Sequence, residues 1–160
     1  QLLVGFSGSW LAGCLFWGWL RAHPILHLPI EAFALPLALG GLNGRWRLAS
    51  AFYLSSLIGT ACTDLMMALT GVMKDWPAVV SAPFDQAPGL LHAAGLQLLN
   101  PAPLLALGLA AALILMVGRR LSQAGETWCM AGAVLVTTVW VDGLFLLTAL
   151  LQPGFSGLIE

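Results

Sequence analysis

Four apolar runs, each about as long as a bilayer core is thick, divide this sequence: residues 2–20, 48–73, 101–118 and 128–151. A helix rises about 1.5 Å per residue, so roughly 30 Å of hydrocarbon takes about 20 residues in a row. A fifth run, residues 25–42, has the length but contains His27, Pro29, Glu31, Pro36 and the pair Gly40 and Gly41. It either crosses as a kinked helix or dips in and returns. Charge collects between the runs, at Arg21, at Arg45 and Arg47, at Lys74 and Asp75, and at Arg119 and Arg120. Only 8% of the residues are charged and 59% are hydrophobic, where soluble domains carry about 25% charge. A water-soluble fold of this size could not hide so much apolar surface, and lipid removes the conflict. The expected fold is all-α: a polytopic transmembrane helix bundle with four or five spans, forming one domain over residues 1–160.

The chain opens on Gln1 and turns apolar at Leu2, without a basic leader or a small-residue cleavage site. Residues 2–20 therefore read as a span rather than a signal peptide, with a further N-terminal span expected upstream. Between residues 74 and 100 a proline-rich connection carries Leu90, Leu91, Ala94, Leu98 and Leu99 at helical spacing. That stripe predicts a short helix, about residues 88–100, lying along the membrane surface. If residues 25–42 cross, the two double-arginine turns share one side and Arg21 and Lys74 share the other. The positive-inside tendency then puts the arginine turns and the N-terminus in the cytoplasm and Glu160 opposite. If residues 25–42 re-enter, Arg21 joins the other arginines, so charge counting is compatible with both courses. Trp19, Trp46, Trp76 and Trp128 sit at span ends, where an indole suits the headgroup layer. Trp10, Trp17 and Trp140 lie deeper, to pack against helices or a planar ligand.

Three acids interrupt the apolar runs: Glu31, Asp64 and Asp142. A carboxyl at mid-membrane is expensive, about 2.5–3.5 kcal/mol on insertion scales, and normally faces protein, water or a ligand. Asp64 and Asp142 share a pattern, T-x3-D-x4-L-T, from Thr60 to Thr70 and from Thr138 to Thr148. Thr60 and Thr138 lie one turn before their acids, on the same helix face, where a hydroxyl can donate to the carboxylate. Both patterns end a hairpin with a basic turn, a hint of internal duplication. Asp64 precedes Lys74, and Asp142 precedes Gln152, by the same spacing, so both acids sit about 15 Å from one membrane face. Glu31 joins them if residues 25–42 cross. No Lys or Arg lies within a run, so the cluster must be protonated, bonded to Thr60, Thr63 or Thr138, or bound to a cation. Acids of this kind serve as glue between helices, as a proton or cation site, or as a contact for a partner.

His23 and His27 are four apart, but Pro24 intervenes, and no second His-rich motif completes a metal site. His27, His23 and His92 are candidate axial ligands for a pigment or other tetrapyrrole; each is otherwise a hydrated interfacial imidazole. Cys14, Cys62 and Cys129 fall inside apolar runs and read as buried small hydrophobes rather than a disulfide or a metal set. No phosphate loop, nucleophile elbow or zinc signature is present, and scattered basic residues give no nucleic-acid footprint. The glycines read as close-packing sites between helices.

The run from Trp19 to Pro36, with its His-Leu-Pro-Ile-Glu-Ala core, and the run from Phe52 to Asp64 resemble an uncharacterised family of multi-spanning membrane proteins of cyanobacteria. Val141 to Phe145 fits the same family, and the resemblance covers roughly residues 10–150. It implies a thylakoid or plasma membrane and brings no catalytic residues with it. The leading expectation is a non-catalytic accessory or assembly subunit of a photosynthetic membrane complex, associated with a photosystem. Its partners would be membrane lipid and neighbouring subunits, with chlorophyll, carotenoid or lipid as the cofactors to consider. A small carrier or permease using the intramembrane acids is the alternative, and a membrane enzyme acting on lipid or isoprenoid is the third reading.

Overall fold

The computed structural model describes residues 1–155. Among them there is no strand, and five helices are long and apolar enough to cross a membrane: α1 (Leu2–Leu20), α2 (Pro24–Gly41), α3 (Arg47–Thr70), α6 (Pro101–Leu121) and α7 (Glu126–Leu151). Two shorter helices, α4 (Trp76–Ser81) and α5 (Ala87–Gln97), lie between α3 and α6. Glu160 lies outside the described residues.

The ends of these helices follow local chemistry. Residues 48–73 were expected as one run, yet α3 stops at Thr70 because Gly71 takes φ 83, a left-handed conformation in which glycine has no Cβ to clash. Gly125 does the same at φ 105 ahead of α7, which then begins with Glu126 in its first turn. Arg119 and Arg120 extend α6 past residue 118, as cations favour a helix C-terminus.

Side-chain contacts set the directions of the spans. Gly5 faces Ala49 and Phe6 meets Phe52, so α1 and α3 run parallel. Arg47 lies over Trp128, Gly59 meets Thr138 and Thr63 meets Asp142, so α3 and α7 also run parallel. Gly118 and Gly132 pack backbone to backbone between the antiparallel α6 and α7: a Cβ on Gly132 would stand 2.5 Å from the Gly118 carbonyl oxygen. Small residues at such crossings let helix backbones approach where lipid supplies no hydrophobic drive. The central span is α3, which touches every other long helix.

Residues 24–41 form a helix, α2, long and apolar enough to cross, and it runs antiparallel to α3. Gly41 packs on Ser50, Ala38 on Tyr53 and Leu57, and His27 on Asp64, an antiparallel path along most of α3. At the far end Trp76 donates through Nε1 to the Arg21 carbonyl at 2.9 Å, past the end of α3. A re-entrant segment would return Arg21 to the Arg45 end instead. Proline explains why α2 is not smooth. Around Pro36, Ala32–Ala34 tightens to a 3₁₀ turn in which the Leu35 N–H goes to Ala32. That shift frees the Glu31 carbonyl and the Ala34 N–H, and Tyr53 of α3 serves both. Its hydroxyl donates to the Glu31 carbonyl and accepts from the Ala34 N–H at 3.1 Å. A broken helix is tolerated at membrane depth when a neighbour satisfies the freed backbone groups in this way.

At the end opposite the arginine turns, α4 and α5 fold over α7, with Val79, Leu91 and Ala149 in one apolar cluster. The buried stripe of α5 is Leu91, Ala94 and Gly95, while Leu90 and Leu99 point outward. Gln97 donates to Asp75 at 2.8 Å and His92 Nδ1 lies 3.3 Å from the Ala149 carbonyl oxygen. Helix α5 is therefore docked onto the bundle end.

Candidate functional site

Two polar centres sit beside each other on α3. At the first, His27 of α2 stands between two carboxylates, with Nδ1 3.0 Å from Asp64 and Nε2 3.4 Å from Glu31. Glu31 is one helical turn after His27 on α2, and Asp64 comes across from α3, so the two acids meet opposite edges of the ring. Phe16 of α1 is buried and stacks on the imidazole, centroids 4.2 Å apart at 25°. The final turn of α1, Phe16–Leu20, is π-helical, a local widening often found at functional sites, and it delivers Phe16 to this face. All three polar side chains are largely enclosed, at 20% or less exposure.

The second centre uses the neighbouring residue on α3. Thr63 donates from Oγ1 to Asp142 Oδ2 at 2.6 Å, tying α3 to α7. Asp142, Thr63 and Thr70 are among the polar residues in the wall of a cavity of about 280 Å³. Cys62, Met66 and Met67 of α3, Ala110 and Ile114 of α6, and Phe145 of α7 line it, with Leu91 of α5 and Leu98 just past its end at one side. None of its lining residues is basic. A shallower groove has Ser9, Trp10 and Trp17 of α1, Phe52 and Ser56 of α3 and Glu31 of α2 in its walls. Residues of the two centres thus reach from one recess to the other.

Residues 1–150 match DUF3120, a family described as a protein of unknown function. The chain belongs to that family. No curated protein and no solved structure matches it.

In this DUF3120 protein the threonines do not hold the acids as their spacing suggested. Thr138 turns to its own helix, donating to the Val134 carbonyl at 3.3 Å, and its side chain packs on Gly59. Thr60 is half-buried, and the neighbouring Asp64 carboxylate is engaged by His27. The donor to Asp142 comes from the opposite helix, because parallel packing of α3 on α7 puts Thr63 at its level. His27 is the intramembrane base that counting Lys and Arg overlooked. With a carboxylate at each ring nitrogen, neither nitrogen is directed at a tetrapyrrole metal. His92 faces the Ala149 carbonyl oxygen, and His23 precedes α2, with its backbone in the turn from α1.

The two acids approach opposite edges of one ring, so the trio does not converge on a single ion. Among the described residues no group of three or more His, Cys, Asp or Glu side chains is disposed to hold a metal. The three cysteines are free; Cys14 and Cys129 lie on the outer surface and only Cys62 reaches the cavity wall. Trp10 and Trp140 also face outward, at 64% and 67% exposure, so packing within the chain does not account for them. Sequence reasoning missed Tyr53 and Phe16. The sole tyrosine, set opposite a proline-broken span, was the available signal for the first; nothing local marks the second.

Proposed function

We propose that this protein is a small membrane carrier that couples its cargo to a proton held by Glu31, His27 and Asp64. The observation that carries the reading is an imidazole flanked by a carboxylate at each nitrogen inside an apolar bundle. A neutral imidazole has one N–H and serves one acceptor; an imidazolium serves two. Both contacts are hydrogen bonds when the ring is charged, or when one carboxyl carries the proton instead. In either form the trio holds one proton that can shift among its members and keeps a net charge of −1. Removing that proton would leave two carboxylates about a neutral ring, a state that low-polarity surroundings disfavour strongly. The trio is thus suited to bind and release a proton as its surroundings change. Glu31 at one recess and Asp142 at the other give the proton site a route to a cargo site.

Reconstituted into vesicles with an internal pH indicator, the full chain should give a solute-driven pH change for at least one class of solute gradient. His27→Ala and Glu31→Gln should abolish it, while Leu113→Ala, on the outward face of α6, should not. If no gradient moves protons, or if His27→Ala moves them at the wild-type rate, the reading is wrong.

A second reading draws on the outward Trp10 and Trp140 and on the resemblance of residues 10–150 to cyanobacterial membrane proteins. It makes the protein an accessory or assembly subunit of a photosynthetic complex in a thylakoid or plasma membrane, its exposed indoles meeting chlorophyll, carotenoid or a neighbouring helix. Co-migration with a photosystem on native gels, with chlorophyll in the band, would favour it; a pigment-free species would favour the carrier. Under either reading, Arg45, Arg47, Arg119 and Arg120 at one end against Arg21 and Lys74 at the other support a cytoplasmic position for the arginine turns.

A further inference from the structure

The cavity between α3, α5, α6 and α7 is chemically lopsided. Its walls are methionine, leucine, isoleucine, alanine and phenylalanine, and its acid is Asp142. The Asp142 carboxylate accepts one hydrogen bond from Thr63, and a carboxylate has room for several more. His27, the base of the neighbouring centre, is already shared between Asp64 and Glu31. Thr70, another polar residue of the wall, bends back to its own helix, donating to the Met66 carbonyl at 2.7 Å. The cavity therefore offers one negative group on an otherwise apolar surface.

That pattern discriminates among cations. Calcium takes about 6–8 oxygen ligands and magnesium demands near-ideal octahedral oxygen geometry; the walls hold far fewer free oxygens. A bare metal ion would also leave most of about 280 Å³ unfilled, a space equal to about nine waters at about 30 Å³ each. An apolar body fills it, and the paired methionines Met66 and Met67 are side chains that adapt to varied apolar shapes. We propose that this cavity binds a small organic monocation, an aryl or alkyl body ending in a protonated amine whose N–H groups pair with Asp142. As the carrier's cargo this ligand rests on the proton-coupling reading. As an occupant of the cavity it is judged by binding alone. Exchange of one such cation for one proton would keep the bundle's charge constant, and the two sites are close, because Thr63, which holds Asp142, and Asp64 of the proton-holding trio are neighbours on α3.

The test uses the full chain in lipid nanodiscs, with 4-phenylbutylamine as the probe and the uncharged 4-phenylbutanol as its isostere. Trp76 is the tryptophan in the cavity wall, so the change in emission that is lost in Trp76→Phe reports occupancy, and calorimetry gives the affinity. The amine should bind saturably and at least tenfold more tightly than the alcohol. Asp142→Asn should remove that preference and leave the alcohol unaffected. Ala110→Phe, which fills the cavity from α6, should abolish saturable binding of both probes without lowering the unfolding temperature. The alcohol binding as tightly as the amine, or the amine binding unchanged in Asp142→Asn, would overturn the inference. So would the absence of saturable binding. If Asp142→Asn does not fold, the amine-to-alcohol ratio and the Ala110→Phe variant decide the matter. Amine binding without any solute-driven proton movement would sink the carrier reading and leave this site standing.

Discussion

The two hairpins of this bundle share a plan and differ in one arm. Each has a basic turn followed by a long helix carrying T-x3-D, and those two helices, α3 and α7, pack in parallel with their aspartates at one level. Their first arms diverge. Helix α2 is broken by prolines and carries His27 and Glu31, whereas α6 is continuous and offers Ala110, Ala111 and Ile114 to the cavity. Asp64 therefore meets a base from its own hairpin, and Asp142 meets an apolar wall. The same motif meets an imidazole in one setting and a largely apolar recess in the other, because an acid's surroundings depend on what the opposite helix brings to it.

The largest break in this comparison comes from removing the base. His27→Ala leaves Glu31 and Asp64 facing each other, and loss of one partner from a buried charged pair costs about 3–5 kcal/mol. Thermal unfolding of the purified protein should show that loss, and adding Glu31→Gln should recover part of it. Recovery of nothing would mean that the Phe16 stack, not charge, holds this end of α2.

The apolar hairpin should break by a different route. Gly132→Leu drives a side chain into the Gly118 carbonyl, and overpacking of this kind costs typically about 1–3 kcal/mol, more when backbone must separate. Its unfolding temperature should fall while the local structure of the His27 centre, read by the imidazole resonances, stays as in the wild type. Disturbed imidazole signals would show that the two hairpins form one unit.

Tyr53→Phe tests whether the break in α2 depends on α3. It leaves the Glu31 carbonyl and the Ala34 N–H without their partner, at about 1–3 kcal/mol for buried groups. Hydrogen exchange should rise at Ala34 and nowhere in α6. The smallest effect belongs to Asp142→Asn, because an amide still accepts from Thr63. A stability change below about 1 kcal/mol is expected, in contrast to the large loss from His27→Ala. Equal losses would erase the distinction drawn between the two aspartates.

How much of this was legible beforehand differs between fold and site. Glu31, Asp64 and Asp142 stood out because acids in apolar runs are conspicuous. Thr60 and Thr138 were natural donors on one-turn spacing, yet Thr63 takes that role for Asp142, since spacing along one helix says nothing about which neighbour packs beside it. His27 looked interfacial next to Arg21 and Pro24. It lies inside because α2 runs alongside α3 and Phe16 covers its ring.

The sequence by itself determined that the chain is helical and membrane-sized, because backbone groups in lipid must be satisfied within each segment, and uninterrupted apolar runs of bilayer length leave few other solutions. It also marked residues 25–42 as the run that could not be a smooth helix, since a proline lacks an N–H wherever it stands. Tertiary structure alone decided that α2 runs antiparallel along α3, that Tyr53 repairs its break, and that His27 and Thr63, rather than Thr60 and Thr138, meet the aspartates. Those are contacts between residues far apart in the chain, such as His27 with Asp64 and Thr63 with Asp142. They follow from the rotation and register of packed helices, which glycine contacts such as Gly5 on Ala49 and Gly118 on Gly132 set in space.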